Sequence, residues 1–218
     1  MQSYRDDDLI ANLLADLDLP RVPQQARSRQ KRDALLAAAT HLFQERGYEA
    51  TTADDIAAAA GVSIGTFYGY FRNKRQVFLT LYADCLKQLL ELRIADLDFG
   101  PNPREAIRAA VQHAFQRDRL IFGLQRAVVE LLPRDPEIAE YNHKLNLILY
   151  GQILAAVQRV AEQGLTWPDL QIEPTCWTIT TLLDQTLNTP APDADETDRQ
   201  RQQTALADLI YHALFRSS

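Results

Sequence analysis

Sulfur is scarce in this 218-residue chain, which holds one methionine and two cysteines, Cys85 and Cys176. The two thiols stand far apart and outside any Cys-x-x-Cys spacing, which excludes a disulfide scaffold and a cysteine zinc site and leaves a reducing compartment as the default. Long apolar runs are missing too. Met1 is followed by Gln2 to Asp8 without a basic and then apolar leader. The expectation is a cytoplasmic chain with no secretory signal, no membrane span and no membrane partner. Catalytic spacings are absent as well. His41, His113, His143 and His212 are scattered, no serine sits in a Gly-x-Ser-x-Gly turn, and neither a phosphate loop nor His-Glu-x-x-His occurs. The chain is not expected to be an enzyme, and no catalytic residue, metal or cofactor is assigned. Either cysteine could sense oxidants only if its pKa were lowered.

What is present is an ordinary globular composition, 46% hydrophobic and 24% charged, with a net charge of −6 that hides a partition. Residues 1–20 carry Arg5 against Asp6, Asp7, Asp8, Asp16 and Asp18. Residues 21–80 hold nine basic and five acidic side chains, and residues 81–218 hold 13 basic and 19 acidic ones. A basic block inside an acidic chain is the footprint of a small anion-binding module, with phosphate backbones the natural anion.

Helix signals run almost throughout, and runs of alternating β-branched residues are wanting, so the fold is expected to be all-α. From Gln24 to Arg46, Ala34, Leu35, Ala38, Ala39, Leu42 and Phe43 recur at helical spacing, and Gly47 stops the pattern. Thr52, three residues before Asp55, reads as an N-cap for a short helix ending at Gly61. Ser63 caps a second short helix, Ile64 to Phe71, with Phe67 and Phe71 one turn apart, and Asn73 caps a fourth from Lys74 to about Leu92. Two short helices joined through Ala60-Gly61-Val62-Ser63 under a roofing helix make a three-helix helix-turn-helix unit. Gly61 suits the left-handed conformation of its turn. Three helices of an ordinary bundle would share this spacing, and the residue identities decide between the two.

The stretch Thr51-Thr52-Ala53-Asp54-Asp55-Ile56-Ala57 through Gly61-Val62-Ser63-Ile64-Gly65-Thr66-Phe67-Tyr68-Gly69-Tyr70-Phe71-Arg72-Asn73-Lys74-Arg75 resembles the signature of the TetR family of transcriptional regulators. Arg32 to Tyr48 looks like that family's first helix, so the likeness covers roughly residues 27 to 78. It implies that Lys74 contacts backbone phosphate at a helix N-terminus, that the Tyr68 and Tyr70 hydroxyls reach phosphates, and that Thr51 or Thr52 does so from the second helix. Ser63, Ile64 and Thr66 complete the expected contacts on the reading helix. Arg27, Arg29, Lys31 and Arg32 form a basic arm suited to the backbone or minor groove. Two positions depart from the family pattern: Ile64 stands where a polar or basic residue is frequent, and Gly69 where a longer base-reading side chain is. Between Ser63 and Phe71 there is no Arg, Lys, Asn or Gln, so bidentate readout of guanine or adenine is not available to this helix.

Beyond residue 93 the pattern is a bundle of longer helices: Pro103 to Arg119, Leu120 to Leu132, Pro136 to Gln163, Pro174 to Leu187 and Asp198 to Phe215. By resemblance this half binds an effector and dimerises. Candidate cavity residues are Phe115, Phe122, Gln125, Tyr141, Asn146, Tyr150, Trp177 and Thr181. Candidate dimer faces are Ile179, Leu182 and Leu183 in one helix, and Ala205, Leu206, Leu209, Ile210, Ala213 and Leu214 in the next. The expected organisation is an acidic amphipathic helix over 1–20, a helix-turn-helix domain over 21–78, and an effector-binding and dimerisation domain over 79–218, coupled through the helix from Lys74 to Leu92. The acidic segment, with Leu9, Ile10, Leu13, Leu14 and Leu17 on one face, either packs on its own domain or lies near Arg27 to Arg32 and competes with phosphate. The function expected is a ligand-responsive repressor, a homodimer on a palindromic double-stranded DNA operator, released by a small apolar or amphipathic effector. The alternative is a helical interaction protein whose basic unit serves another polyanion or a protein partner.

Overall fold

The computed structural model describes residues 17–90, 93–116, 119–188 and 196–216. The expected amphipathic helix therefore lies, up to residue 16, outside the described residues. The described helices are Ala26–Arg46 (α1), Ala53–Ala59 (α2), Ile64–Tyr70 (α3), Lys74–Leu90 (α4), Pro103–Gln116 (α5), Arg119–Leu131 (α6), Pro136–Glu162 (α7), Ile172–Asn188 (α8) and Glu196–Leu214 (α9), with a 3-10 turn at Ile94–Asp96. The fold is all-α. An isolated antiparallel bridge, Thr166 to Phe215, is the extended pairing among the described residues.

Local chemistry sets the helix boundaries. The Thr52 hydroxyl accepts from Asp55 N while the Asp55 carboxylate accepts from Thr52 N, a reciprocal capping box that starts α2. α2 ends in a left-handed Gly61 at φ 66°, where Val62 N donates to Ala57 O and Gly61 N to Ala58 O. Ser63 Oγ then accepts from Thr66 N at the start of α3, and Asn73 Oδ1 accepts from Gln76 N at the start of α4. α8 begins two residues ahead of Pro174, which is tolerated because a first-turn residue has no intrahelical N–H bond to lose.

Contacts divide the chain into two compact units, one of residues 1–88 with 119–141 and another of 89–118 with 142–218. In the first, Phe43, Phe67, Phe71 and Phe78 are fully buried among Leu35, Ile56 and Leu79. Phe78 stacks on Tyr82 at 5.7 Å and meets Tyr48 edge-on at 5.9 Å. Burial pushes the Tyr48 phenol up to about 12, so that ring stays neutral. α6 packs on α1 with a polar margin: Arg126 donates to Glu45 O at 2.8 Å, closing the end of α1, and Glu130 accepts from Glu49 N at 2.9 Å. Gly47 is favoured there by its backbone, at φ 85°, while the movable end of Glu130 fills the space beside it, 2.1 Å from where a Cβ would stand.

The second unit closes around Ile107, Val111, Ile153, Val157, Ile179, Leu206, Ile210 and Leu214, with α5 and α9 in extensive contact. Arg104 and Arg108 share the Asp208 carboxylate at 2.9 to 3.2 Å. Cys176 is fully buried, and burial raises its thiol to about 11, well away from the lowered pKa that oxidant sensing requires. Ile179, Leu206, Ile210 and Leu214, expected at a dimer face, fill this core instead. Helical spacing marks an apolar face without saying which chain covers it.

Arg75 ties the first unit together, reaching Asp135 at 2.7 and 3.2 Å and Glu137 at 2.6 Å. The hydrogen bonds from Arg75 hold the Asp135 carboxyl below the usual range. A depressed carboxylate contributes stability that is complete above its unfolded value of about 3.9 and lost as pH falls through the folded value. Urea midpoints at pH 7 and pH 3 should therefore differ less for Asp135→Asn than for the parent chain, and an equal difference would count against the ion pair as a source of acid sensitivity.

Candidate nucleic-acid interface

The first unit presents α3 as a short helix with two unlike faces. Phe67 and Phe71 sink into the core, while Tyr68 is 57% exposed and Ser63, Gly65 and Gly69 are exposed with it. Ile64, Thr66 and Tyr70 are half-buried along the margins, and the Ser63 and Thr66 hydroxyls are 2.9 Å apart. The face offers hydroxyls, one branched aliphatic and bare backbone, with no cation. A Cβ at Gly69 would meet nothing within 4 Å, and one at Gly65 only the Ser63 hydroxyl at 3.9 Å. The fold does not demand either glycine.

Cations flank this face. Arg27 and Arg29 are exposed on the first turns of α1, so the expected arm is a helix start in which Lys31 and Arg32 are already half-buried. Arg32 turns inward, its Nε buried without a hydrogen-bond partner and its Nη1 3.7 Å from Asp33. Arg72, two residues after α3, is exposed, and the sequence does not single it out because it lies outside the expected contact helix.

Three expected phosphate contacts have partners within the fold. Thr51 has no exposed surface, and its hydroxyl donates to Gly47 O at 2.7 Å, so it is a turn residue rather than a surface one. Thr52 is exposed, but its hydroxyl donates to Asp55 at 2.6 Å and serves the capping box, which also holds the Asp55 carboxyl below its ordinary value. Lys74 is also engaged within the fold. Its ammonium donates to the carbonyls of Tyr48 at 2.8 Å, Glu49 at 3.3 Å and Thr51 at 2.9 Å, and stands 4.3 Å from the centre of the Tyr48 ring. Three protons meet three carbonyls. Lys74 organises the loop between α1 and α2, a role that its place at a helix start does not reveal in sequence.

The expected effector residues do not converge. Gln125 and Tyr141 are buried in the first unit, where the Tyr141 hydroxyl donates to Glu137 at 2.8 Å. In the second unit, Tyr150 meets an exposed Trp177 edge-on at 5.4 Å, Thr181 is exposed and donates to Trp177 O, and Asn146 keeps its Oδ1 buried without a partner. The side chains of Phe115 and Phe122 lie outside the described residues. None of the six described candidates lines the cavity that the second unit contains. That cavity, of about 90 Å³, is walled by Ile94, Leu97, Phe99, Ile107, Ala110, Val111, Ile153, Ala156, Val157, Ile179, Leu183, Ile210 and Leu214. The sequence does not disclose it, because aliphatics around a void look like aliphatics in a packed core. Among the described residues no group of three His, Cys, Asp or Glu could hold a metal ion, and no helix is long and apolar enough to cross a membrane.

Residues 35–81 match the sequence profile of bacterial regulatory proteins of the tetR family. The chain is 35% identical over 97 residues to the HTH-type transcriptional repressor KstR2 of Mycolicibacterium smegmatis, a segment covering 44% of this chain and 46% of that protein. It is 28% identical over 128 residues to the fatty acid metabolism regulator protein of Bacillus subtilis, covering 58% and 64% respectively. The matched segments thus span about half to two thirds of these curated relatives. In fold, the chain superposes on NalD, the secondary repressor of the MexAB-OprM multidrug efflux pump in Pseudomonas aeruginosa, with a TM-score of 0.67 at 24% identity, covering 89% of this chain and 100% of that one.

Two substitutions test this reading of the site. Lys74→Ala removes charged hydrogen bonds to three carbonyls and should lower the unfolding free energy by about 1.5–3 kcal/mol in a urea titration; a change within error would return Lys74 to the surface. Gly69→Ala should raise stability by about 0.5–1 kcal/mol, because the new methyl has room and the unfolded chain loses freedom; a destabilised variant would mean that α3 needs the gap.

Proposed function

Because the chain belongs, through residues 35–81, to the TetR family of bacterial regulatory proteins, we propose that it is a cytoplasmic DNA-binding transcriptional repressor acting as a homodimer on a palindromic operator. The observation that carries this reading is α3 itself. It is a capped helix after a left-handed glycine turn, with Phe67 and Phe71 locked inside and Ser63, Ile64, Thr66, Tyr68 and Tyr70 left along its outer side and margins. Such a helix enters the major groove while flanking cations and hydroxyls hold the phosphates. Readout by this face rests on Ile64 against a thymine methyl, on the hydroxyls of Thr66 and the two tyrosines, and on close approach at Gly65 and Gly69. Arg27, Arg29 and Lys31 at the start of α1 supply the non-specific attraction.

Dimerisation falls to what the monomer core leaves uncovered on α8 and α9. Leu209 is 56% exposed and Trp177 44% exposed, apolar surface that a second copy of the chain would cover. The effector is a small apolar molecule taken into the cavity of the second unit, whose walls offer it carbon and no charge. At about 90 Å³ the cavity is well below the roughly 300–1,000 Å³ of pockets for drug-sized ligands, so such an effector must push the helices of that unit apart. That demand gives the ligand different affinities for two conformations, which release from DNA requires. The relative whose name concerns fatty acid metabolism supports an apolar effector. The other reading, a helical module for a different polyanion or a protein partner, predicts duplex binding without sequence preference.

Selection from a random duplex pool should return a two-fold repeat with half-sites roughly 34 Å apart. The selected duplex should bind at least about 10³-fold more tightly than random duplex at physiological salt, and equal affinities would reject the repressor reading. Leu209→Glu combined with Trp177→Glu should turn a dimer into a monomer by light scattering, and a parent chain that is already monomeric at micromolar concentration would sink the dimer.

A further inference from the structure

The chain ahead of α1 is attached to the helix-turn-helix unit at a charged position that the DNA-binding reading leaves unused. Leu17 is 6% exposed, so the segment is anchored by an apolar side chain. From that anchor the Asp18 carboxylate reaches the Arg72 guanidinium, and the Asp18 carbonyl accepts from Gln76 Nε2 at 3.4 Å. Gln76 also accepts from Arg72 N at 2.8 Å through its side-chain oxygen, so one amide holds both partners of the ion pair in place. Leu19 and Pro20 follow, half-buried. Within the acidic stretch, Asp18 meets Arg72 just past the end of α3; residues 1–16, and with them the expected approach to the Arg27 to Arg32 arm, lie outside the described residues.

Between Asp18, Leu19 and Pro20 on one side and Tyr68, Gly69, Tyr70 and Arg72 on the other lies an open groove of about 390 Å³. The strap runs beside α3 and leaves its outer face uncovered, which the exposure of Tyr68 confirms. What the strap takes is one cation. Both ends of the Asp18–Arg72 pair are more than half exposed, the regime in which an ion pair is weak enough for another anion to displace it.

We propose that residues 17–20 form a displaceable acidic strap in which Asp18 occupies Arg72 in place of a DNA phosphate, an intramolecular competitor that restrains non-specific binding without touching base readout. This rests on the DNA-binding reading of α3. A carboxylate held by Leu17 competes at a fixed effective concentration, whereas phosphate competes by its local density along a duplex. Competition at a single guanidinium acts on all sequences alike and fades as salt screens the pair.

The test uses the full chain with Asp18→Asn, Arg72→Ala and the double substitution, titrated against random-sequence duplex between about 50 and 200 mM salt. Asp18→Asn should tighten binding about two- to five-fold at the low end, the range set by an exposed ion pair. The slope of log affinity against log salt should steepen by about one unit as Arg72 gains a phosphate. Neither change should appear in the Arg72→Ala background. The same gain in that background would overturn the proposal, since any lost acidic charge would then suffice. So would unchanged affinity with a lowered melting temperature, which would leave Asp18 a purely structural residue. If neither parent nor variants bind any duplex, the DNA-binding reading falls first and takes the strap with it, an outcome distinct from parent and variant binding equally.

Discussion

A helix of seven residues makes too few hydrogen bonds of its own to offset the cost of nucleation, so α3 exists only through what surrounds it, and every property of the candidate interface depends on that support. Ser63 closes one end, Phe67 and Phe71 hold the inner side in an aromatic core, and the left-handed Gly61 fixes the angle at which the chain enters. Lys74, four residues past α3, completes the arrangement by drawing three carbonyls of the α1–α2 loop onto the start of α4. Apart from the capping Ser63 and its neighbour Thr66, the outer positions are thereby relieved of structural duty.

Polar groups do much of the fastening within the first unit. Arg126 and Glu130 address backbone groups at Glu45 and Glu49, and Arg75 spans to Asp135 and Glu137. Contacts of this kind are directional, and they set where α6 lies along α1 more closely than apolar burial alone would. Gly47 belongs to the same arrangement, since the carboxylate of Glu130 occupies the space that a side chain there would claim.

Local signals carry across from sequence to structure where a residue type has a single economical use. Thr52 with Asp55, Gly61, Ser63 and Asn73 mark their helix ends because capping oxygens and a glycine at positive φ are short-range requirements. Inside and outside are harder to read. Thr51 and Thr52 are identical neighbours, yet one is wholly buried and the other capped at the surface, a difference decided by the packing of α1 against α2. The fastening role of Lys74 is hidden in the sequence because the carbonyls it serves are more than twenty residues away in the chain. The cavity in the second unit was illegible for a related reason: a void is a property of how aliphatic side chains fail to meet, and no residue type announces it.

The vacant directions at Gly65 and Gly69 bear on how such a protein could change its target. Most surfaces that contact a partner are also constrained by the fold behind them, so a new contact usually costs stability. Here the outward Cβ positions open onto free space, and replacing glycine within a helix is itself favourable. Longer side chains could be tried at both places with the scaffold indifferent to the outcome. The helix is in that sense a blank key, whose cut can be revised one tooth at a time while the bow stays as it is.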